Sequence, residues 1–204
     1  LLAYWVIKKR YDIVFSKYMI LAVIIALVLI SPVIWWNIEH DFASFRYQGS
    51  HVFGSFSGSL KNFFVSFAAQ IGAYNPLLAA AAFYGFYKSW KEKNDFLLLV
   101  RLIGGTILIF FLATSFAKKT LPHWPAIFYL LFIPLGCYFL IHDSERWKRN
   151  YAYFSIGISL LLTFLLYGEI AGKFIRYPDF VSPYRDIYGF PQIMAKADEV
   201  IKRD

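Results

Sequence analysis

The chain has 204 residues, 59% hydrophobic and 17% charged, with a formal net charge of +8. Soluble domains average about 25% charged residues, so the deficit points to lipid as the solvent. No nucleic-acid module or repeating basic face accompanies the positive charge, which reads as membrane topology and headgroup contact.

The opening Leu1-Leu2-Ala3-Tyr4-Trp5-Val6 has no basic region before its apolar residues, so it is not a secretory signal. It reads as the last turns of a helix begun upstream, and the chain is expected to be the C-terminal part of a longer membrane protein. Five apolar runs follow, at about 18–36, 63–87, 96–117, 122–141 and 151–171. A bilayer core about 30 Å thick takes about 20 helical residues to cross. The runs therefore predict an all-α integral membrane bundle of about five spans over 1–171. Trp and Tyr at run ends (Tyr18, Trp35, Trp36, Tyr87, Trp90, Trp124, Tyr151) fit interfacial belts. Cys137 lies inside the fourth run, so there is no disulfide framework or paired-cysteine metal site, and it reads as a packing residue.

Basic hinges set the expected orientation. Lys8 to Lys17, Lys88 to Lys93 and Arg146 to Arg149 alternate with 37–62, 117–122 and 172–204. The positive-inside rule puts the first three in the cytoplasm and the other three outside. In the external loop 37–62, Gly54 to Ser59 reads as a flexible turn and Ser59 as the cap of a helix starting at Leu60. Pro76 within the second run predicts a kink, or two helices, one interfacial and one spanning. The tail 172–204 reads as a small external cap with a short amphipathic helix from Pro191 to Lys202.

Two segments hold groups for chemistry. In Lys118-Lys119-Thr120-Leu121-Pro122-His123-Trp124-Pro125, two lysines and a histidine sit on a proline-stiffened external turn. Cations fixed at an interface suit an anionic lipid headgroup, above all a phosphate; the plainer alternative is a solvated turn touching lipid phosphates non-specifically. In the segment from Ser31 to His51, Trp35, Trp36 and Tyr47 offer aromatic faces, and Asn37, Arg46 and Gln48 offer hydrogen bonds to a sugar. Glu39, His40 and Asp41 are acid–base groups, but three adjacent residues do not share a helix face. The alternative is a capped helix end with an aromatic anchor. Arg101 and His142 read as cytoplasmic-side interfacial groups, and Glu169 as an interfacial carboxylate or a functional acid. A Gly-rich phosphate loop, a Walker motif and a Ser-His-Asp pattern are missing from the sequence.

Four blocks, taken together, resemble bacterial glycosyltransferase family 39, which includes membrane transferases similar to protein O-mannosyltransferases and to the lipid A aminoarabinose transferase. They are Ser31-Pro32-Val33-Ile34-Trp35-Trp36-Asn37 through His40, Ser44, Phe45 and Gln48; Gln70-Ile71-Gly72 to Pro76-Leu77-Leu78; Lys119 with His123-Trp124-Pro125; and Arg185-Asp186-Ile187-Tyr188-Gly189-Phe190, where Phe190 replaces the usual Trp.

The resemblance implies a GT-C-type fold and transfer of a sugar from a polyprenyl-phosphate donor to a lipid, glycan or protein acceptor. The reaction would take place at the external face of the inner (cytoplasmic) membrane. It places Lys118, Lys119 and His123 at the donor phosphate and Trp35, Trp36, Asn37, His40 and Gln48 around the sugar or acceptor cavity. The family's principal catalytic acid would lie upstream, so this segment by itself would be inactive. No cofactor, metal or nucleic-acid partner is expected. The alternative function is a non-enzymatic membrane component, such as a transporter half or an assembly subunit.

Overall fold

A computed structural model describes residues 1–52, 58–172, 174–175 and 194. Among them the secondary structure is all α: α1 (Leu2–Ile7), α2 (Tyr11–Val14), α3 (Lys17–Glu39), α4 (Ala43–Val52), α5 (Leu60–Ala73), α6 (Pro76–Ser89), α7 (Asp95–Ser115), α8 (Ala126–Ile141) and α9 (Arg146–Gly172). The chain forms two compact units, Leu1–Ser155 and Ile156–Asp204, and α9 passes from the first into the second. The protein is an all-helical membrane bundle. Three helices, α3, α7 and α9, are long and apolar enough to cross a bilayer, or four spans if α5 and α6 count as one.

Of the three, helix α3 has the highest mean hydropathy, 2.7, and its apolar stretch is unburied within the chain. Pro32 lies in its interior and has no N–H for the Val28 carbonyl. The Ser31 hydroxyl donates to that carbonyl at 2.8 Å, so the adjacent serine satisfies the group the proline leaves open. This repair matters in lipid, where no water is at hand.

The second apolar run is two helices. α5 and α6 meet at a bend of 103°. Asn75 makes the corner with φ of +62°, and its Oδ1 accepts the Leu77 N–H at 3.0 Å; Pro76 occupies the first turn of α6. Asn tolerates the left-handed region, and proline has no N–H to lose at a helix start. Ser59 caps α5 as its position predicts, accepting the Asn62 N–H at 3.2 Å. Asn94 caps α7 by accepting from Phe96 at 2.8 Å.

Two boundaries differ from the apolar runs. α8 begins at Ala126, four residues later than the run, because Pro122 and Pro125 hold 122–125 as turns. Its 16 residues span about 24 Å. α9 begins at Arg146, because the polar stretch before Tyr151 is also helical.

The core of the first unit comprises Ala79, Ala82, Val100, Leu108, Phe128, Tyr129 and Phe132. α6 and α8 meet through small residues, with Ala81 and Gly85 against Gly136, as membrane helices do when packing rather than water drives association. Phe86 packs edge-on against Phe132 at 5.1 Å. Cys137 is buried, in keeping with a packing role.

Contacts also link the three basic hinges. Lys8 pairs with Asp95, beside Lys93. Lys88 lies over the Tyr84 ring at 5.7 Å, and the Tyr84 hydroxyl donates to Asp143 at 3.2 Å. Lys148 bonds Asp143 at 3.1 Å and Glu145 at 2.6 Å. The Glu145 N–H, followed by Lys148, holds the Asp143 carboxyl below its ordinary value. Lys148 and Trp147 lower Glu145 in the same way. The Arg101 guanidinium donates to the Ser89 carbonyl and lies 5.0 Å from the Trp90 ring.

In the second unit, Glu169 accepts the Ile175 N–H at 3.0 and 3.3 Å, closing the chain back onto the end of α9. The flexible turn expected over 54–57, the tail helix from Pro191 to Lys202 and the block Arg185 to Phe190 lie outside the described residues, Met194 excepted.

Candidate functional site

The α7–α8 connection rests on α5. The Ser59 N–H donates to the Phe116 carbonyl at 2.9 Å, and the Phe63 and Phe116 rings stack at 4.5 Å. The Thr120 N–H donates to the Ser66 hydroxyl at 2.9 Å. Further on, Trp124 packs against Phe111 with ring centres 5.7 Å apart. An aromatic pair and a buried backbone hydrogen bond thus fix the turn, and its two prolines remove freedom from what remains.

A cleft of about 430 Å³ opens here, lined by Gln48, Phe110, Phe111, His123 and Trp124. It joins an apolar aromatic wall to an imidazole and a carboxamide, the mixture that lets a site hold an apolar body and orient one polar group. His123 and Gln48 are both exposed at its edge. Lys118 and Lys119 are exposed on the same turn, with no ion pair among the described residues. They lie next to the cleft in sequence and are not among its lining residues.

The expected sugar cavity separates into different roles. Only Gln48 of its five residues lines the cleft. Asn37 is fully buried; its Nδ2 donates to the Val33 carbonyl at 2.9 Å, and its Oδ1 accepts the Ser44 N–H at 3.2 Å. It joins the end of α3 to the start of α4, across Asp41 and Phe42, which have φ of +51° and +57°. Trp36 stacks on His40 at 4.2 Å, and His40 Nδ1 lies 2.8 Å from the Trp36 carbonyl. Trp35 donates to Glu39 at 2.8 Å. These contacts make a cap and an aromatic anchor at the helix end, which the sequence left open as the alternative. Glu39, His40 and Asp41 do not converge on one point, and no group of three metal-ligating side chains occurs among the described residues.

Sequence reading quoted Gln70 and Thr120 without seeing that they are buried, and passed over Ser66 and Tyr129. Gln70 and Ser66 are buried on one face of α5, and Thr120 and Tyr129 lie opposite. The available signal was Ser66 and Gln70 at i and i+4 in an otherwise apolar helix.

The described helices and this site thus belong to a multi-span membrane protein with an aromatic, polar-edged cleft. Over 77 residues, 37% of this chain and 16% of the relative, the sequence is 31% identical to the lipid A galacturonosyltransferase RgtD of Rhizobium johnstonii. No family model matches the chain, and no solved structure matches it.

Proposed function

We propose that this chain is part of a membrane glycosyltransferase that takes a sugar from a polyprenyl-phosphate donor at the external face of the inner membrane. The observation that carries this reading is the cleft of Gln48, Phe110, Phe111, His123 and Trp124, with Lys118 and Lys119 exposed on the same fixed turn. The likeness to a lipid A galacturonosyltransferase supports it.

In the reaction, the bond between the sugar's anomeric carbon and the phosphate oxygen breaks. The electron pair leaves with the polyprenyl phosphate, and an acceptor oxygen forms the new bond with inversion. Charge grows on the leaving phosphate, so cations already in place lower the barrier. Lys118 and Lys119 supply that charge, and His123 donates a hydrogen bond or proton. The Phe110, Phe111 and Trp124 rings receive the prenyl chain or the apolar face of the sugar. The base that takes the acceptor proton lies outside this chain.

The test is transfer from a radiolabelled polyprenyl-phosphate sugar in membranes carrying the whole protein. Lys119→Ala should lower turnover about 100-fold without lowering expression. Wild-type turnover in that variant removes the phosphate assignment.

The 103° break between α5 and α6, with Gln70 buried beside it, favours one other reading. Transporters build their sites from broken helices. Uptake of a labelled solute into vesicles, abolished by Gln70→Leu with no sugar transfer detected, would decide for transport.

A further inference from the structure

Four side-chain atoms of the first unit are buried with no hydrogen-bond partner among the described residues: Gln70 Oε1 and Nε2, Thr120 Oγ1 and Tyr129 Oη. Gln70 and Tyr129 are wholly buried and Thr120 is 6% exposed. Leaving such groups unpaired in a low-dielectric interior costs about 1–3 kcal/mol apiece. Native structures pair nearly all of them.

Their placement is ordered. Ser66, Gln70 and Tyr74 recur every fourth residue and share one face of α5 and its C-terminal cap. At one end of that face Ser66 holds the Thr120 N–H. At the other end Tyr74 stacks on Tyr129 with ring centres 4.0 Å apart. Gln70 lies on the same face, one helical turn from each of these two contacts.

We propose that Gln70, Thr120 and Tyr129 form a buried seat for a neutral hydroxyl guest. Gln70 offers both a donor and an acceptor, and each hydroxyl can do either. The groups carry no formal charge, and the neighbouring Lys118 and Lys119 are exposed. A bare ion would enter with a desolvation cost and no counter-charge. A hydroxyl can accept from Gln70 Nε2 or Tyr129 and donate to Gln70 Oε1 or Thr120. Water and a sugar hydroxyl share that chemistry. The sugar source rests on the proposed transferase function; the seat itself does not.

The experiment is thermal unfolding of the purified protein in detergent, for wild type, Gln70→Leu, Tyr129→Phe and the double variant, with and without methyl β-galactoside. Each single variant should melt roughly 2–4 °C lower, and the double variant should lose less than the sum because both groups share one guest. A galactoside-dependent rise in melting temperature, present in wild type and lost in Gln70→Leu, assigns the guest to sugar. The same coupling without a galactoside shift assigns it to water, and leaves the seat intact even where sugar transfer is absent. An unchanged or higher melting temperature in both single variants, with additive effects, overturns the proposal, because removing an unpaired buried polar group relieves a cost. Should Gln70→Leu not fold, the conservative Tyr129→Phe and Thr120→Val pair gives the same cycle.

Discussion

Replacing Gly136 by alanine tests the α6–α8 contact that supports the rest of the bundle. A methyl at Gly136 would overlap the Ala81 carbonyl, and one at Gly85 would sit 2.6 Å from the Gly136 nitrogen and 2.8 Å from the Phe132 carbonyl oxygen. Non-bonded carbon and oxygen settle at about 3.3 Å or more. The neighbours are backbone, so no side chain can swing aside; the helices themselves must separate. Overpacking of this kind costs about 1–3 kcal/mol, and a backbone-on-backbone clash belongs at the upper end. Alanine returns up to about 1 kcal/mol of helix propensity, leaving a net loss of roughly 2 kcal/mol. At this chain length that lowers the melting point by roughly 4–8 °C. The assay is thermal unfolding in detergent, with Gly157→Ala as the control, since nothing among the described residues lies within 4 Å of a methyl there. Equal melting of Gly136→Ala and Gly157→Ala would refute the close approach of α6 and α8.

Asp143 supplies a pH test. Its folded carboxyl lies below the ordinary 3.8, first through the Glu145 N–H and then through Lys148. Its contribution is therefore complete above 3.8 and is lost as pH falls through the lower folded value. The melting difference between wild type and Asp143→Asn should stay constant from pH 8 to about 5 and shrink below about 4; a difference that instead vanishes between pH 8 and 6 would contradict the sign. Asn37→Leu should cost about 1–3 kcal/mol, read as a lower melting temperature. Loss of transfer at unchanged stability would instead make Asn37 a binding residue. At the cleft edge, Gln48→Ala should raise the donor KM with little loss of stability, because Gln48 is exposed; an unchanged KM would remove it from the site.

Much of the fold was legible because lipid imposes a length rule and the chain obeys it. α3 at Lys17–Glu39 and α7 at Asp95–Ser115 fall within three residues of the apolar runs. Ser59 and Pro76 marked a cap and a break by local chemistry alone. Hydropathy could not see that α9 starts at Arg146, since a polar turn can be as helical as an apolar one. It also could not see that Pro122 and Pro125 delay α8. The candidate site was legible as a turn, since lysines, histidine and prolines stand together in sequence. Its wall was not, because Phe110 and Phe111 come from another helix, and in the sequence they look like any lipid-facing pair. Asn37 was placed in a cavity by type, whereas both ends of its amide serve the backbone.

The two sets of contacts differ in how many buried polar atoms they leave without a partner among the described residues. Around the basic hinges, Lys8 has Asp95, Lys148 has two carboxylates, and Arg101 has the Ser89 carbonyl, with only its Nε left over. Around the α7–α8 turn, Gln70, Thr120 and Tyr129 hold buried atoms with no partner among the described residues, while Lys118 and Lys119 lack an acid as Lys9, Lys17, Lys91, Lys93, Arg146 and Arg149 at the hinges also do. Buried polar atoms are nearly always paired in native structures, so those left over are where a partner from outside the chain would bind. Under the proposed function the cations would meet a phosphate and the neutral groups a hydroxyl, both of which a sugar held on a lipid phosphate carries. On this reasoning Lys119→Ala and Gln70→Leu should act on different halves of the donor. In the transfer assay, polyprenyl phosphate lacking the sugar should compete undiminished against Gln70→Leu enzyme and lose its potency against Lys119→Ala; equal potency against both would break the division.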